Sequence, residues 1–518
     1  MRNCIHHIIY IVLLCVVAVG MPTSNFLMNM GWVLLLVNWL AEWGMEAKWQ
    51  RARQSRLLQA FVLFYLLHIV GLLWSGDLLY GLDDLRKKLP LLVLPLVLLT
   101  TEAPSRREKD VVMGVYVAAV AVASLIGLVR WLTIDDLAYR DIIPFISHIR
   151  FSLNLSFCIC LMAVCLWREY ATRRRVWVMV SAALLALWFL FFLLLLQSFT
   201  GVVALYTGVL AALVVWWRDG GAQRRTRVWL VAGWLAVLAA ATGVVWYYVD
   251  SYFRLQPLSE GVLQQYTVNG NPYKHERDGF IENGNYVNNY ICDSELRSEW
   301  QKVGSLPIES ITPNGYAVYP TLVRYLNAMG CTKDSVGMSH LLPADVAAIE
   351  RGVANPVYLK RVSLRRMCYV MCFEYESWRC YGSVVDFTVL QRLELWRAGW
   401  EVFKRHWLIG TGTGDVVNEC HKQLCEMGSP LAGTTKHTHS QYLTLLITFG
   451  VVGFVVLSAG FVRAALRRRG RGAAPVMVAL VVMVLVSFIT EDTLETLAGC
   501  LFAVFPLLMM MERDEGKA

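Results

Sequence analysis

Two stretches in the last third of the chain hold the side chains best suited to acid–base chemistry and to anion binding. His437 and His439 stand immediately before a long apolar run. A histidine at the mouth of a membrane span can accept a proton near neutral pH, in the ordinary histidine range of about pH 6–7. Arg392 lies earlier, on a helical pattern, and its guanidinium offers a planar pair of donors that matches two phosphate oxygens. The sequence therefore predicts a proton acceptor, His439, beside an anion-binding group, Arg392.

A run of glycines separates the two stretches. Gly410, Gly412 and Gly414 follow the arginine helix at alternate positions. Glycine tolerates left-handed backbone and leaves room for a neighbouring segment, so the run predicts a sharp turn whose backbone passes close to the site. The full pattern reads Arg392-x3-Trp396-x6-Phe403, then Gly410 and Gly412, then His439-Ser440-Gln441-Tyr442-Leu443, then Gly450 and Gly453.

Apolar segments that are long enough to cross a membrane fill most of the remaining chain. The sequence is 57% hydrophobic, above the roughly 45–50% of soluble domains, and its mean hydropathy is +0.48. No small-residue cleavage pattern follows residues 5–20, so we interpret this segment as a retained helix rather than a signal peptide. Residues 76–89 alternate leucines with charged residues, which predicts an interfacial connector helix. Twelve spans are predicted by length, near residues 5–20, 25–42, 57–75, 89–100, 111–133, 151–167, 176–196, 200–217, 228–247, 440–462, 474–490 and 496–511.

The net charge of +9 follows the membrane topology. With both termini in the cytoplasm, the clusters of lysine and arginine fall in the cytoplasmic loops, as the positive-inside rule requires. The basic residues that depart from the rule are Arg86, Lys87, Lys88, Arg140 and Arg150. The charge is therefore a topology signal, and nucleic-acid binding is excluded as the function. The clusters are Lys48/Arg51/Arg53/Arg56, Arg106/Arg107/Lys109, Arg168/Arg173/Arg174/Arg175, Arg218/Arg224/Arg225/Arg227 and Arg463/Arg467/Arg468/Arg469/Arg471.

This orientation divides the chain into three parts and fixes the compartment of the largest loop. Residues 1–247 form a nine-span membrane region, 248–439 a mostly helical periplasmic domain between spans 9 and 10, and 440–518 a three-span region with a short cytoplasmic tail. The fold class is an all-α polytopic membrane protein. ATP and nucleotide sugars are not expected outside the cytoplasm, so any group transfer there requires an activated donor that is delivered by the membrane.

The cysteines of the outer segment do not form a metal-binding pattern. Seven of the 13 cysteines lie there, and an odd number leaves at least one unpaired, with the connectivity open. The spacings Cys368-x3-Cys372 and Cys420-x4-Cys425 fit zinc poorly. We expect structural or free thiols, no metal site and no cofactor.

The motifs, their order and the topology resemble those of the O-antigen ligase and polymerase superfamily of bacterial envelope glycosyltransferases. That family shows an Arg-x3-Trp-x6-Phe element, a Gly-x-Gly turn, a His-Asn/Ser-x-Tyr-Leu element and a span with paired glycines. Twelve spans with one large outer segment before the tenth also fit, so the resemblance extends over nearly the whole chain. It implies an enzyme of the bacterial inner membrane.

The resemblance also implies a reaction and roles for individual residues. The reaction is the metal-independent transfer of a glycan from an undecaprenyl-pyrophosphate carrier to an acceptor hydroxyl on the periplasmic face. His439 deprotonates or positions that hydroxyl, and Arg392 holds the pyrophosphate and stabilises its growing charge. His437, Gln441 and Tyr442 are expected to contact substrate. The implied partners are a lipid-linked oligosaccharide donor, membrane lipids, and a lipid A-core, glycan or protein acceptor.

One position departs from the family pattern. The family often carries Ser-Arg-Thr-Gly at the start of a mid-chain span, whereas this chain has Ser198-Phe199-Thr200-Gly201. Another basic residue must take the place of the missing arginine, or the position is dispensable. Arg150 is the best substitute, because it enters the sixth span from the outer side and a charge there is costly unless it is functional or reaches the surface.

Structural alternatives accompany each of these assignments. An arginine at a span end, such as Arg150, often only anchors the helix, and the alternative for Arg392 is a helix-surface ion pair with Glu394 or Asp386. Glu491 and Asp492 fall in the last outer turn, where solvated loop charges are common. The rival functional class is a transporter of lipid or glycan, but internal repeats and charges at mid-membrane are not evident. Within the enzyme class, ligase is favoured over polymerase and protein oligosaccharyltransferase by analogy alone.

Overall fold

The chain folds almost entirely into α-helices. The structure, a computed structural model, describes residues 2–134, 137–218, 224–260, 262–277, 279–360, 362–382, 384, 388–434, 436–466 and 475–511. Outside these residues lie Asp386, the basic loop at 467–471 and the predicted cytoplasmic tail at 512–518, and the side chains of Arg173, Arg224 and Arg227 are also not described.

The helices are numbered in chain order. They are α1 (Arg2–Thr23), α2 (Asn25–Ala41), α3 (Met45–Gln54), α4 (Arg56–Gly71), α5 (Leu78–Lys88), α6 (Pro90–Thr100), α7 (Arg106–Thr133), α8 (His148–Arg168), α9 (Val176–Leu195), α10 (Phe199–Arg218), α11 (Arg224–Phe253), α12 (Pro257–Glu260), α13 (Asp293–Val303), α14 (Val318–Ala328), α15 (Ser335–Met338), α16 (Pro343–Glu350), α17 (Leu364–Tyr381), α18 (Thr388–Arg405), α19 (Val416–Glu426), α20 (Gln441–Leu466), α21 (Pro475–Thr490) and α22 (Leu497–Met510). Short 3-10 turns occupy Leu72–Trp74, Pro356–Leu359 and Thr493–Glu495, and a π-turn occupies Glu169–Arg173.

The sheet in the described part of the chain is one small antiparallel hairpin. Strands β1 (Ile281–Glu282) and β2 (Asn285–Tyr286) pair with Ile281 opposite Tyr286. The all-α class predicted from the sequence is therefore confirmed.

Eight helices of the described residues are long and apolar enough to cross a membrane. A ninth span results if α2 and α3, which are bent by 119°, count as one. The predicted fourth span is α6, whose 11 residues measure only about 16 Å at 1.5 Å per residue and cannot alone cross a core of about 30 Å. Helices α21 and α22 are apolar but also short. The multi-pass architecture is confirmed, and the count of twelve spans stays a prediction.

The chain divides into two compact units. Residues Met1–Val231 and Arg392–Ala518 form the first, called the membrane unit here, and Ala232–Gln391 form the second, called the outer unit. In the membrane unit, two serines of α8 form hydrogen bonds to the segment at the start of α10. Ser152 Oγ lies 2.8 Å from Ser198 Oγ, and Ser156 Oγ donates to the Gly201 carbonyl at 2.9 Å. These buried bonds hold the segment that contains Phe199, the position of the missing family arginine.

The core of the outer unit surrounds Trp300, Leu322 and Tyr325, which are all nearly inaccessible to solvent. Beside this core lies the fully buried carboxylate of Glu282. It accepts hydrogen bonds from Arg324 Nε at 2.9 Å, Asn355 Nδ2 at 2.7 Å and Tyr369 Oη at 2.5 Å. A buried charge with several donors is stabilised, so these contacts fix the β1–β2 hairpin against α14 and α17.

Helix α5, which was predicted as an interfacial connector, buries two of its charged side chains. Leu78, Leu79 and Leu82 are exposed on one side. Asp84 and Lys88 are buried on the other and form an ion pair. The helix is present as predicted, but Asp84 and Lys88 point into the membrane unit while Arg86 stays exposed. An outward leucine face suits contact with lipid.

Candidate functional site

The membrane unit contains a cavity of about 1110 Å³ that collects most of the residues singled out in the sequence. Its wall combines four cationic side chains, two histidines and three carboxylates with the polar end of α2. The charged and histidine lining comes from α5, α8, the loop before α20 and the turn between α21 and α22. These residues are Arg86, Lys87, Arg150, Lys436, His437, His439, Glu491, Asp492 and Glu495.

His439 is held in a left-handed backbone conformation by the last turn of the chain. Its φ is 53°, which is uncommon outside glycine and is a form of strain that occurs at functional sites. Its backbone N–H donates to Asp492 Oδ2 at 2.6 Å. Asp492 Oδ1 accepts from Thr444 Oγ1 at 2.7 Å and from Thr438 Oγ1 at 3.4 Å. Asp492 therefore fixes the loop that presents the imidazole to the cavity.

The environment of His439 favours the neutral form of its imidazole. Burial lowers the pKa of His439 below its ordinary value, and the nearby Arg392 guanidinium lowers it further, against the opposing charge of Asp492. A neutral imidazole has a free lone pair and can accept a proton, which a protonated one cannot. The site therefore suits His439 as a general base.

Two arginines from different helices converge on Glu491. Arg392 on α18 donates through Nη2 to Glu491 Oε1 at 2.5 Å. Arg150 on α8 places Nη1 3.8 Å from Glu491 Oε2 and also donates to the Asp492 carbonyl at 3.0 Å and to Thr496 Oγ1 at 3.3 Å. Burial raises the pKa of Glu491, although both guanidinium groups oppose the rise. Two positive charges thus share one carboxylate, which leaves capacity for an anion.

Glu491 and Asp492 are buried, contrary to the expectation of solvated loop charges. Their relative exposures are 7% and 6%. Of the surface partners considered for Arg392, Glu394 instead lies 4.0 Å from Arg397, and Arg392 pairs with Glu491. The correction has a simple cause: the turn folds under the loop that precedes α20, and hydropathy of the local segment carries no information about that long-range packing.

His437 lies in the cavity wall beside Tyr80. Its Nε2 is 3.2 Å from the Tyr80 hydroxyl, and its Nδ1 is buried without a hydrogen-bond partner among the described residues. This nitrogen is inaccessible to solvent, and the part of His437 that a ligand can meet is the side of its half-buried ring that lines the cavity. His437 therefore occupies a position from which it could contact a substrate.

Gln441 and Tyr442 lie outside the cavity wall. Gln441 is fully buried, donates to Glu495 Oε1 at 3.0 Å and accepts from the Leu494 N–H at 2.7 Å. Tyr442 donates to the Leu485 carbonyl at 2.9 Å, and its ring packs on Phe488. The structure thus brings Arg150, Arg392, His437 and His439 together, whereas these two side chains connect α20 to the turn and to α21.

The glycines of the motif join two elements behind the site. Helix α20 breaks at Gly450, whose φ is 62° and ψ is −170°. A Cβ there would lie 2.3 Å from the Leu408 carbonyl carbon, so only glycine fits. The segment after α18 runs through this gap, where Thr411 N–H donates to the Ile447 carbonyl at 2.8 Å and Val451 N–H donates to the Trp407 carbonyl at 2.7 Å. The close approach of the glycine run is to α20, where it fixes α18, and the run does not line the cavity, so its predicted passage close to the site stays a prediction.

The segment that carries this arrangement has a known counterpart. Residues 373–458 match the O-antigen ligase family model. The resemblance drawn from the motifs is therefore confirmed over a segment that contains Arg392, His437, His439, Gln441 and Tyr442. It supports a glycan-transferring enzyme of the O-antigen ligase superfamily in a multi-pass bacterial membrane protein. No curated protein matches the chain.

Basic residues that lie outside the matched segment also line the cavity. Arg86 and Lys87 line the cavity from α5, and both pair with Asp83 on the exposed side of that helix. Sequence reasoning interpreted this stretch as a connector only. The available signal was topological, because in the predicted orientation Arg86, Lys87 and Arg150 are among the few basic residues on the outer side that depart from the positive-inside rule. Basic residues that lie on the side of the membrane where the positive-inside rule disfavours them are candidates for a functional role.

The cysteines and acidic groups form no metal-binding cluster among the described residues. The 13 cysteines are present as free thiols. The positive charge that the structure does bring to the cavity comes from arginine and lysine side chains.

Proposed function

We propose that the protein transfers a glycan from an undecaprenyl-pyrophosphate carrier to an acceptor hydroxyl on the periplasmic face of the bacterial inner membrane. One observation carries the proposal: His439 and Arg150 line one cavity beside the Glu491–Asp492 turn, and Arg392 adjoins that cavity through its hydrogen bond to Glu491. The family match over residues 373–458 supports the glycan-transferring class. The carrier, the acceptor and the compartment are parts of the proposal.

In the proposed step, the acceptor oxygen attacks the anomeric carbon of the donor. The new C–O bond forms as the bond from that carbon to the pyrophosphate oxygen breaks, and the acceptor proton passes to His439. The pyrophosphate leaves as an anion, and Arg392 and Arg150 stabilise its growing charge. Arg150 thereby takes the place of the family arginine that is absent at Phe199. His437 is assigned to the acceptor or donor sugar.

The pyrophosphate must compete with Glu491 for the two arginines. Because burial raises the pKa of Glu491, this carboxylate accepts a proton more readily than an ordinary glutamate. We propose that the incoming anion displaces Glu491 from Arg392. Arg86 and Lys87 add positive charge at the α5 wall, where it attracts the donor before it reaches the arginines.

We assign lipid A-core as the acceptor, which makes the protein an O-antigen ligase. A growing glycan or a protein hydroxyl would instead define a polymerase or an oligosaccharyltransferase. Purified protein is given a lipid-pyrophosphate-linked glycan and each of the three acceptors in separate reactions. Product with lipid A-core alone supports the ligase, and product with another acceptor reassigns the enzyme within the class.

The same assay tests whether the protein is an enzyme and whether it needs a metal. We propose metal-independent turnover, because arginine side chains supply the charge that a metal ion otherwise provides. Product should form unchanged in EDTA. Loss of product that one divalent metal restores would overturn this part of the proposal. Donor binding without product for any acceptor would favour the transporter alternative.

The proposed orientation places both termini in the cytoplasm and residues 248–439 outside it, between the membrane regions 1–247 and 440–518. A periplasm-active reporter fused after Gly330 should be active, and one fused after Arg469 should be silent. A cytoplasmic signal at Gly330 would reverse the topology and place the cavity on the wrong face of the membrane.

A further inference from the structure

The outer unit contains a polar pocket that takes no part in the proposed transfer step. Its volume is about 280 Å³. The wall combines tyrosine rings from α11 and α17 with the tip of the β1–β2 hairpin. The pocket lies wholly within residues 232–391.

The hairpin tip presents one amide side chain in a fixed position. Asn283 and Gly284 form the two-residue connection between β1 and β2, with φ values of 52° and 76°, as a type I′ turn requires. Gly284 N–H donates to the Tyr252 carbonyl at 2.7 Å, and Gln256 N–H donates to the Gly284 carbonyl at 2.9 Å. A Cβ on Gly284 would lie 2.3 Å from the Arg254 carbonyl oxygen, so the turn is closely packed. These contacts therefore hold the tip of the hairpin, and with it the Asn283 side chain, in one position.

The polar groups of the pocket retain hydrogen-bonding capacity. Among the described residues, the side-chain amides of Asn283 and Gln256 have no hydrogen-bond partner. Tyr252 is 3% exposed, and its hydroxyl is buried and also lacks a partner within the described part of the chain. Each amide carries a donor pair beside an acceptor, and the phenol can do either. A ligand with neighbouring hydroxyls can meet the amides of Asn283 and of the exposed Gln256, whereas the Tyr252 hydroxyl is inaccessible to solvent.

Aromatic rings supply the apolar part of the same pocket. Tyr252 and Tyr369 contact each other with ring centroids 5.6 Å apart. Both rings are almost fully buried, and the half-buried Tyr248 supplies the aromatic surface that a ligand in the pocket can reach. Rigid aromatic surface beside a few oriented polar groups is typical of small-ligand sites. The C–H face of a pyranose ring matches such a surface, and its hydroxyl edge matches the amides.

We infer that this pocket binds one pyranose unit of a glycan. Arg365 stands exposed at the pocket and favours a unit that carries a carboxylate, because a guanidinium binds carboxylates through paired hydrogen bonds. The choice of a glycan rests on the proposed function, whereas the polar and aromatic lining stands independently of it. The pocket would hold a sugar of the acceptor or donor away from the reacting carbon.

Binding of free sugars to the full-length protein in detergent tests this inference. The probes are glucuronic acid and methyl glucoside, titrated by saturation-transfer NMR with an expected affinity in the millimolar range. Asn283→Gly keeps the turn and removes the amide, and Gln256→Ala removes the second amide. Each should weaken binding about 3- to 10-fold, the usual value of one hydrogen bond. Arg365→Gln should weaken the binding of glucuronic acid and leave the binding of methyl glucoside unchanged.

A matched control comes from a second Asn-Gly turn in the same unit. Gly315 also has a positive φ of 83°, and Asn314 precedes it away from the pocket, so Asn314→Gly should bind sugar as the unchanged protein does. Tyr252→Phe provides a variant that keeps the packing and removes only the hydroxyl. Binding by Asn283→Gly, Gln256→Ala and Arg365→Gln that equals binding by the unchanged protein would overturn the inference. So would the absence of binding of either sugar.

The inference and the proposed function fail in different ways. If His439→Ala abolishes transfer and retains sugar binding, both accounts hold. If transfer requires His439 but neither sugar binds, the pocket assignment is wrong and the proposed function stands. If sugar binds through Asn283 and no acceptor yields product, the pocket assignment stands and the proposed function is wrong.

Discussion

Glu491 and Glu495 stand four residues apart in the same turn, and their surroundings differ in kind. Glu491 faces two arginines at the cavity, and burial raises its pKa. Glu495 faces Lys88, and its pKa is lowered: burial alone would raise it, but Lys88 outweighs that effect. One residue type thus meets opposite electrostatic conditions within a single turn.

The cluster around Glu495 is closed. Lys88 Nζ donates to Glu495 Oε2 at 2.5 Å and also pairs with Asp84. Burial raises the pKa of Asp84, and Glu495 adds to the rise against Lys88. Gln441 occupies the remaining oxygen of Glu495 at 3.0 Å. Every charged group there already has its partner, as buried charges in a stable core require.

The cluster around Glu491 is open by contrast. Arg150 and Arg392 share the carboxylate of Glu491. Arg150 lines the cavity together with His439, and Arg392 adjoins it. The comparison shows how burial alone misleads, because both glutamates are buried. Both glutamates line the cavity, so the difference lies in their partners: two arginines that share one carboxylate indicate binding, and charges that are all paired indicate structure. We therefore expect substitutions at the two clusters to fail in different assays.

The largest effect is expected at Lys88. Lys88→Met leaves Asp84 and Glu495 buried without their cation, which costs about 3–5 kcal/mol of unfolding free energy. Thermal unfolding of the purified protein in detergent measures this loss. Lys87→Met is the matched control, because Lys87 forms a half-exposed pair with Asp83, worth at most about 1 kcal/mol. Equal stability of the two variants would show that the closed cluster is not structural.

The next effect is expected at Arg392. Arg392→Ala should weaken donor binding and lower turnover together, by about 10²-fold, the order seen when one charge-stabilising donor is removed. Arg392→Lys should rescue poorly because an ammonium lacks the two-pronged geometry. Arg397→Ala controls for the helix, since Arg397 is 72% exposed on the same α18. Full rescue by lysine would reject a bidentate contact.

A smaller effect, visible in the pH profile, is expected at Asp492. Catalysis needs neutral His439, so the rate rises as pH passes upward through the pKa of this histidine. Because that pKa is lowered, the rate should rise at a pH below about 6.5, the ordinary pKa of histidine. Asp492 opposes the lowering, so Asp492→Asn should move the rise to still lower pH. A shift to higher pH would contradict the assigned electrostatics. Arg392→Gln should shift the rise in the opposite direction.

The smallest effect is expected at Tyr442. Its hydroxyl donates to the Leu485 carbonyl and lies outside the cavity wall. Tyr442→Phe should cost about 0.5–1.5 kcal/mol of stability and leave turnover within about threefold of wild type. Measurement of the Michaelis constant for each substrate checks this point. A large rise in either constant would restore Tyr442 to the substrate site.

Local patterns predicted the elements and the motif residues, but not the long-range charge pairs. Hydropathy located the long spans because each is apolar over its own length. It also counted α6 as a span, since composition alone does not separate a short buried helix from a crossing one. Lys88 and Glu495 are 407 residues apart, and no local pattern connects them. The sequence marked Arg86 and Lys87, which line the cavity, only as exceptions to the positive-inside rule.

The most direct test of the account is donor binding and turnover measured together on His439→Ala, at matched protein level. The general base should be lost while the arginines remain, so turnover should fall by about 10²–10⁴-fold with donor affinity within about threefold of wild type. His340→Ala, an exposed histidine in the outer unit, should change neither quantity. The assigned roles are wrong if His439→Ala abolishes donor binding while Arg392→Ala leaves both binding and rate near wild type.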